Sequence, residues 1–468
     1  MEKSRLLRLL RSFSPAEIQG LKKYVRTPFF NQRTEVPTLL ELLVKSLKTG
    51  KAAPDKATAF REVFGGTAHN DHRLRLAMSF LYQISLQYLA VQDFMSDTPR
   101  YQRSMAAMLR RRGLHEHFAP AHAEAKDALY RHPERNADFF EEDYRLRLEQ
   151  YRFDHTQQPA IDPAQLQGLS DALESTFLAR KLWQACFLHA HHIVSGATYD
   201  QGLLTAALAQ AVAPKNLAVP AIAIYYHCYR ALTEPDDRTH FQAFKTLVLT
   251  QGALFPADEM RDLFVLGINL CIRQYNAGNP DYLAEQFDFY REGLAKKYLL
   301  SEGTLSRYTY LNAVTSALVL HQFDWAEHFI HDYREYLPET YQESLYSFNL
   351  ARLEYLRQRF GPALRLLQKA DYKDVLLHLA AKMLQLKIYY ESAEFDLLES
   401  HLQALRAFLR RKKNMGYLRE NYLNTVHFTQ KLLETNLLAK DLRSALRQEI
   451  EETKAVAEKE WLLLQVPH

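Results

Sequence analysis

Two clusters of histidines and one set of cysteines have residue types that chemistry could use. His189, His191 and His192 fall on one helical segment, and His189 and His192, three residues apart, share a face from which two imidazoles can reach one metal ion. No nearby acid or thiol completes a ligand set except Cys186, which belongs to a different pattern. The favoured reading is therefore a polar patch and no metal. His115, His117 and His122 with Glu116 lack the i, i+4 histidine pair enclosing an acid that a metalloprotease helix requires.

Cys186, Cys228 and Cys271 are spaced 42 and 43 residues apart. Three thiols without a CxxC pair form neither a disulfide framework nor a zinc site, which fits a reducing compartment. Their regular spacing points to small apolar residues at equivalent helix contacts. No Gly-rich phosphate loop, no GxSxG elbow and no glycine pair opening a helix after a strand is present. The sequence gives no ground for an enzyme or a cofactor.

A third pattern is longer. Gln184, Tyr226, Asn269, Asn312, Asn349, Gln385 and Asn424 each stand in mid-helix, most of them two positions before a small or apolar residue, at separations of 42, 43, 43, 37, 36 and 39. Amides recurring in this way can hydrogen-bond between neighbouring helices and fix their register. They can equally line a groove and read the main chain of a bound peptide, and the structural role is favoured. Arg230 and Arg273 follow Tyr226 and Asn269 by one turn and would draw an acidic ligand to that face. The candidate partner-binding residues are thus Arg230, Arg273, Asn269, Asn312 and Asn349.

The elements that must position these residues are helices. The chain has 468 residues, 47% of them hydrophobic and only 15 glycines; helix formers fill most segments, and no convincing strand is found. Ser14-Pro15-Ala16-Glu17 is a strong helix start, and Thr27-Pro28 ends that helix near Arg26. Phe29 and Phe30 are then expected to plug a corner. Helices are expected over 35–48, 55–64 with Gly65-Gly66 as the stop, and 71–97 with Leu74, Met78, Leu81, Ile84, Leu86 and Leu89 inward. Thr98-Pro99 caps the next helix and Gly113 closes it. Beyond about residue 130, the 35–45 residue period holds two helices and two turns, the unit of a helical solenoid.

The segment from Leu350-Ala351 to Ala370, with Phe360, Ala363 and Leu367, resembles a tetratricopeptide (TPR) repeat. Segments with Phe323, Ala326 and Pro338, and with Tyr389 and Phe395, resemble weaker copies. The run Phe13 to Glu17 with Pro28-Phe29-Phe30-Asn31, together with Glu460-Trp461-Leu462-Leu463, is similar to a group of bacterial α-helical proteins. The resemblance implies an all-α fold: a helical module over 1–130, then over 131–468 a TPR-like α-solenoid of antiparallel helix pairs wound as a right-handed superhelix.

Charge bounds the partners. The net charge is +4, with residues 1–50 at +6 and the remainder at −2. The basic runs Arg110-Arg111-Arg112 and Arg410-Arg411-Lys412-Lys413 are expected at helix C-termini, where cations complement the dipole. Leu6, Leu7, Leu9 and Leu10 alternate with arginines and are expected to dock on the next helix in preference to an anionic surface. No apolar run reaches the ~20 residues of a membrane span, and no secretory leader is read at the N-terminus. The expected function is a cytoplasmic, non-enzymatic scaffold for a protein or peptide. The alternative is a nucleic-acid-associated or regulatory protein using the basic N-terminal region.

Overall fold

The computed structural model describes residues 1–49, 54–65, 70–157, 162–412 and 415–466. Among them are 24 α-helices, one 3-10 turn and one pair of two-residue strands. None of these helices is long and apolar enough to cross a membrane. The chain divides into two compact units, residues 1–229 with 253–255, and residues 230–252 with 256–468. Residues 130 and 131, where the sequence reading divides an N-terminal module from the repeats, both lie inside the helix His115–Arg131 of the first unit.

Capping chemistry sets the first helices. The Ser14 hydroxyl accepts from the Glu17 amide at 3.2 Å while the Glu17 carboxylate accepts from the Ser14 amide at 2.6 Å, which starts Pro15–Arg26. Asp55 caps Lys56–Phe64, and Gly65, at φ 62°, stops it; Gly66 lies outside the described residues. Asp97 caps Thr98–Arg111 one residue earlier than Thr98-Pro99 suggests, because its carboxylate reaches the Arg100 amide at 3.1 Å. Leu6, Leu7 and Leu10 are buried in one apolar cluster with residues of the next four helices, so the arginine-flanked leucines serve packing. Phe30 stacks on Tyr24, but Phe29 is 85% exposed and plugs nothing. On Asp71–Ser96 the buried stripe runs through Ser85 and Tyr88, leaving Leu86 exposed.

Between residues 98 and 157 the first unit is held differently. The helix Ala137–Gln157 buries Asp143 and Glu149 beside Phe139 and Leu146. Arginines answer each acid: Arg103 binds Glu142 at 2.6 Å, Arg110 and Arg152 bind Glu149 at 2.7 and 2.9 Å, and Arg147 binds Asp143 at 2.8 Å. Charges taken out of water must be paired, and here they are. Arg110 and Arg111 do occupy the last turn of their helix, and Arg410 and Arg411 the last turn of Phe395–Arg411; Lys413 is outside the described residues.

In the second unit one turn recurs. Gly278, His321, Gln358 and Ala393 have φ of 98°, 55°, 60° and 58°. The following amides donate back five residues, Asn279 to Gln274, Gln322 to Ala317, Arg359 to Glu354 and Glu394 to Tyr389, at 3.1, 2.8, 2.8 and 2.9 Å. Such a left-handed residue closes a helix by satisfying its last carbonyls. Phe323, Phe360 and Phe395 then open Phe323–Asp332, Phe360–Lys369 and Phe395–Arg411. Ala326 and Ala363 are fully buried, which lets helices approach, whereas Phe395 is exposed and fills no gap. Besides its sequence neighbours, Glu339–Leu356 packs on both Arg307–Val319 and Val375–Glu391.

Glycines let Ala257–Asn276 and Tyr282–Ala295 pack closely. A Cβ at Gly267 would stand 2.7 Å from the Phe289 ring, and one at Gly293 2.8 Å from Phe264, so each glycine receives the other helix's aromatic. One feature departs from the all-helix expectation. Leu300–Ser301 pairs antiparallel with Thr304–Leu305 through Glu302 and Gly303, both at positive φ. That is the backbone of a two-residue hairpin turn, and it is too short to show as a hydrophobic alternation.

Candidate partner-binding face

Asn269 and Arg273 lie one turn apart on Ala257–Asn276, which begins after Pro256 with Asp258 and Glu259 in its first turn. Asn269 is exposed. Arg273 is half-buried and donates to the Leu232 carbonyl at 3.0 Å, in the last turn of Pro220–Thr233. Burial holds its guanidinium below the usual value. Arg230 reaches the same helix end and pairs with Glu234 at 2.7 Å, while its Nε is buried without a partner. The structure thus brings Arg230 and Arg273 together, with both guanidiniums engaged at a helix C-terminus.

Glu234, Asp237 and His240 follow at once, with ligand atoms within 4.8 Å of one another, the one such grouping among the described residues. Arg230 holds Glu234, and Asp237 accepts from the Thr239 amide at 2.9 Å, so this turn is already neutralised from within. His189 and His192 have ring centroids 6.2 Å apart, and His192 Nδ1 contacts the Ala197 carbonyl at 2.8 Å. The three cysteines are free and buried, in accord with small residues at helix contacts.

The amide series does not form one ladder. Gln184, Asn269 and Asn312 are exposed, Tyr226, Asn349 and Gln385 are buried, and Asn424 is half-buried. A period that drifts between 36 and 43 residues rotates each position relative to its helix contact, so equal spacing does not give equal environment. Asn349 is wholly structural: its Nδ2 donates to Leu345 at 2.9 Å, and its Oδ1 accepts from Arg352 at 3.2 Å. Arg352 also donates to Thr315 at 3.0 Å on the neighbouring helix, and burial lowers its pKa to about 10. The Asn312 amide meets the buried Tyr290 hydroxyl, whose pKa desolvation pushes up to about 12.

Asn424 does something else. Its Nδ2 donates to the main-chain carbonyl of Ala455 at 2.8 Å, next to Thr425, whose hydroxyl donates to the Ala457 carbonyl. The Ala457 amide donates in turn to Asn421 at 3.2 Å. Further along, Lys387 pairs with Glu458, and the Trp461 indole donates to Glu391 at 2.7 Å, a carboxylate that also accepts from the Tyr355 hydroxyl. Residues 453–458, non-helical in backbone, are therefore gripped by polar groups from Val375–Glu391 and Tyr417–Glu434, and Trp461 and Leu462 anchor the end in the apolar core. The sequence marks Trp461 only as part of a resemblance. The signal for an anchor was a lone tryptophan followed by three leucines after a charged stretch.

The first unit contains a larger concavity that sequence spacing did not suggest. An open cleft of about 870 Å³ runs between the segments 96–100, 128–145 and Arg180. Its Arg145 and Arg180 are bound to Glu141, Glu142 and Asp138 of the same wall. Paired in this way, they present little net charge to a ligand.

No protein-family model matches the sequence, no curated protein is significantly similar to it, and no solved structure is significantly similar to the fold.

Proposed function

We propose that this chain is a non-enzymatic, cytoplasmic scaffold whose second unit stacks tetratricopeptide-like helix pairs and holds an extended protein or peptide segment by its main chain. The observation that supports this reading most is Asn424. At one of the recurring mid-helix positions, an amide already binds a non-helical segment through its carbonyl, with Thr425 and Asn421 engaging the next residues. Main-chain hydrogen bonds of this kind give affinity without demanding a particular side chain, and a buried aromatic supplies the anchor. Asn269 and Asn312, exposed at two earlier positions, offer the same amide chemistry to a segment from another molecule. Arg273, which forms no ion pair among the described residues, adds positive charge at the end of the neighbouring helix and favours an acidic segment, whereas Arg230 is already paired with Glu234. The recurring left-handed turns at 278, 321, 358 and 393 support the stacked-pair arrangement.

Selection from a random peptide library on the full chain tests this. Selected peptides should bind saturably and lose roughly tenfold or more in affinity when Asn269→Ala and Asn312→Ala are combined, since two hydrogen bonds at about 1 kcal/mol each are removed. A double variant of unchanged stability that binds as tightly as the wild type refutes the proposed face. Saturable binding of a DNA or RNA oligonucleotide that falls steeply with salt would favour the nucleic-acid reading.

A further inference from the structure

The connection between Phe360–Lys369 and Val375–Glu391 overhangs a pocket of about 300 Å³ that the peptide-binding reading does not use. Lys382 lines it. Its ammonium bonds Gln385 Oε1 at 3.0 Å and forms no ion pair among the described residues, and burial alone sets its pKa below the usual value. Lys245 shows what this fold ordinarily does with a half-buried lysine: Glu285 and Asp288 hold it at 2.5 and 2.7 Å. A desolvated ammonium without a counter-charge is costly.

Two more groups line the same pocket. The Tyr372 hydroxyl is removed from water and has no hydrogen-bond partner. A buried hydroxyl without a partner is costly, so an unmet donor in a cavity points to a missing acceptor. The His378 ring stands with its centroid 6.5 Å from that of Tyr372, and burial together with Lys382 and Lys412 disfavours its protonation. As a neutral ring it still carries one N–H donor. Asp371, exposed, is the one acid among the lining residues.

An ammonium, a phenol and an imidazole converging on a small cavity are complementary to an oxyanion, which supplies both the missing charge and the missing acceptor. We propose that the Tyr372–His378–Lys382 pocket is a binding site for a carboxylate or phosphate group.

Calorimetric titration of the full chain, at ionic strength held constant with chloride, tests the proposal with three probes: inorganic phosphate, glutarate and a short peptide ending in Glu. At least one should bind saturably. Binding should weaken roughly tenfold in Lys382→Met and about three- to tenfold in Tyr372→Phe. It should be unchanged in Lys373→Met, which removes the same charge from an exposed neighbour. Response to phosphate or glutarate identifies a free small anion; response to the peptide alone identifies a group presented by a partner. In wild-type protein with ¹³C-dimethylated lysines, which keep their charge, the Lys382 resonance should shift on saturation. No saturable binding of any probe, equal affinity in Lys382→Met and Tyr372→Phe, or a Lys382 resonance that stays in place overturns the site.

Discussion

Ala137–Gln157 and Tyr282–Ala295 are both interior helices of their units, and they are buried by opposite means. Two of the four buried residues of the first are carboxylates, Asp143 and Glu149, each clamped by arginine. The buried residues of the second are Tyr282, Leu283, Gln286, Phe287, Phe289, Tyr290, Gly293 and Leu294, none of them charged at neutral pH. Apolar burial is favourable in proportion to area and is felt wherever packing is lost. Ionic burial sets a desolvation cost against an attraction and leaves little net gain at the rim. The two helices should therefore fail under different perturbations.

The largest difference is expected at Phe289. Its ring is fully buried, lies 5.7 Å from that of Phe264 and fills the space that Gly267 leaves open. Phe289→Ala should cost about 3–5 kcal/mol, read as a drop in the urea midpoint of the second unit. A loss no larger than that of a surface substitution would mean that aromatic interlock does not hold this helix pair, and the contrast would collapse.

The second unit also hides a titratable group that ties its stability to pH. His401 Nε2 contacts the Lys382 carbonyl at 2.9 Å, and burial, aided by the Lys382 charge, lowers its pKa to about 4. The unfolded chain takes up this proton near pH 6.5 and the folded chain resists it, so the contribution is complete above that pH. It is lost as pH falls toward about 4 and amounts to about 3 kcal/mol. His401→Gln, which retains a donor for the carbonyl, should flatten the stability profile over this window by that amount. Parallel wild-type and variant profiles would show that the imidazole is hydrated in the folded state.

Legibility in the sequence follows the same divide. The helices of residues 14–96 were readable because caps and leucine periodicity agree, as at Ser14-Pro15-Ala16-Glu17 and Leu74, Leu81 and Ile84. The turns before Phe323, Phe360 and Phe395 were readable from the aromatic that opens each following helix. The arginine–carboxylate layer was not, because Asp143 and Glu149 sit where periodicity analysis looks for leucine, and a buried acid is visible only through the Arg110 and Arg147 that answer it. Of the candidate site residues, Arg230 and Arg273 were singled out only by their spacing from Tyr226 and Asn269, which could not reveal that both are engaged at a helix end. Nor could it separate exposed Asn269 from buried Asn349, since a shift of a few residues in period turns an amide from solvent to core. The grip on residues 455–461 was invisible because it joins positions more than 30 residues apart through main-chain atoms that carry no sequence signature.

The smallest effect is expected where the ionic layer meets solvent, at Arg180. Its guanidinium contacts Asp138 and Glu141 of Ala137–Gln157, yet the arginine and Asp138 side chains are 46% and 74% exposed. Water and salt screen such a pair, and fixing two long side chains consumes much of what attraction remains. Arg180→Ala should therefore change stability by less than about 1 kcal/mol at low salt, and by nothing measurable in about 1 M salt, where the Debye length is roughly 3 Å. The salt dependence makes the measurement decisive. A loss that persists in 1 M salt would mean that the Arg180 stem, packed along the helix, does the stabilising, and that apolar contact reaches further into the ionic layer than its charges suggest.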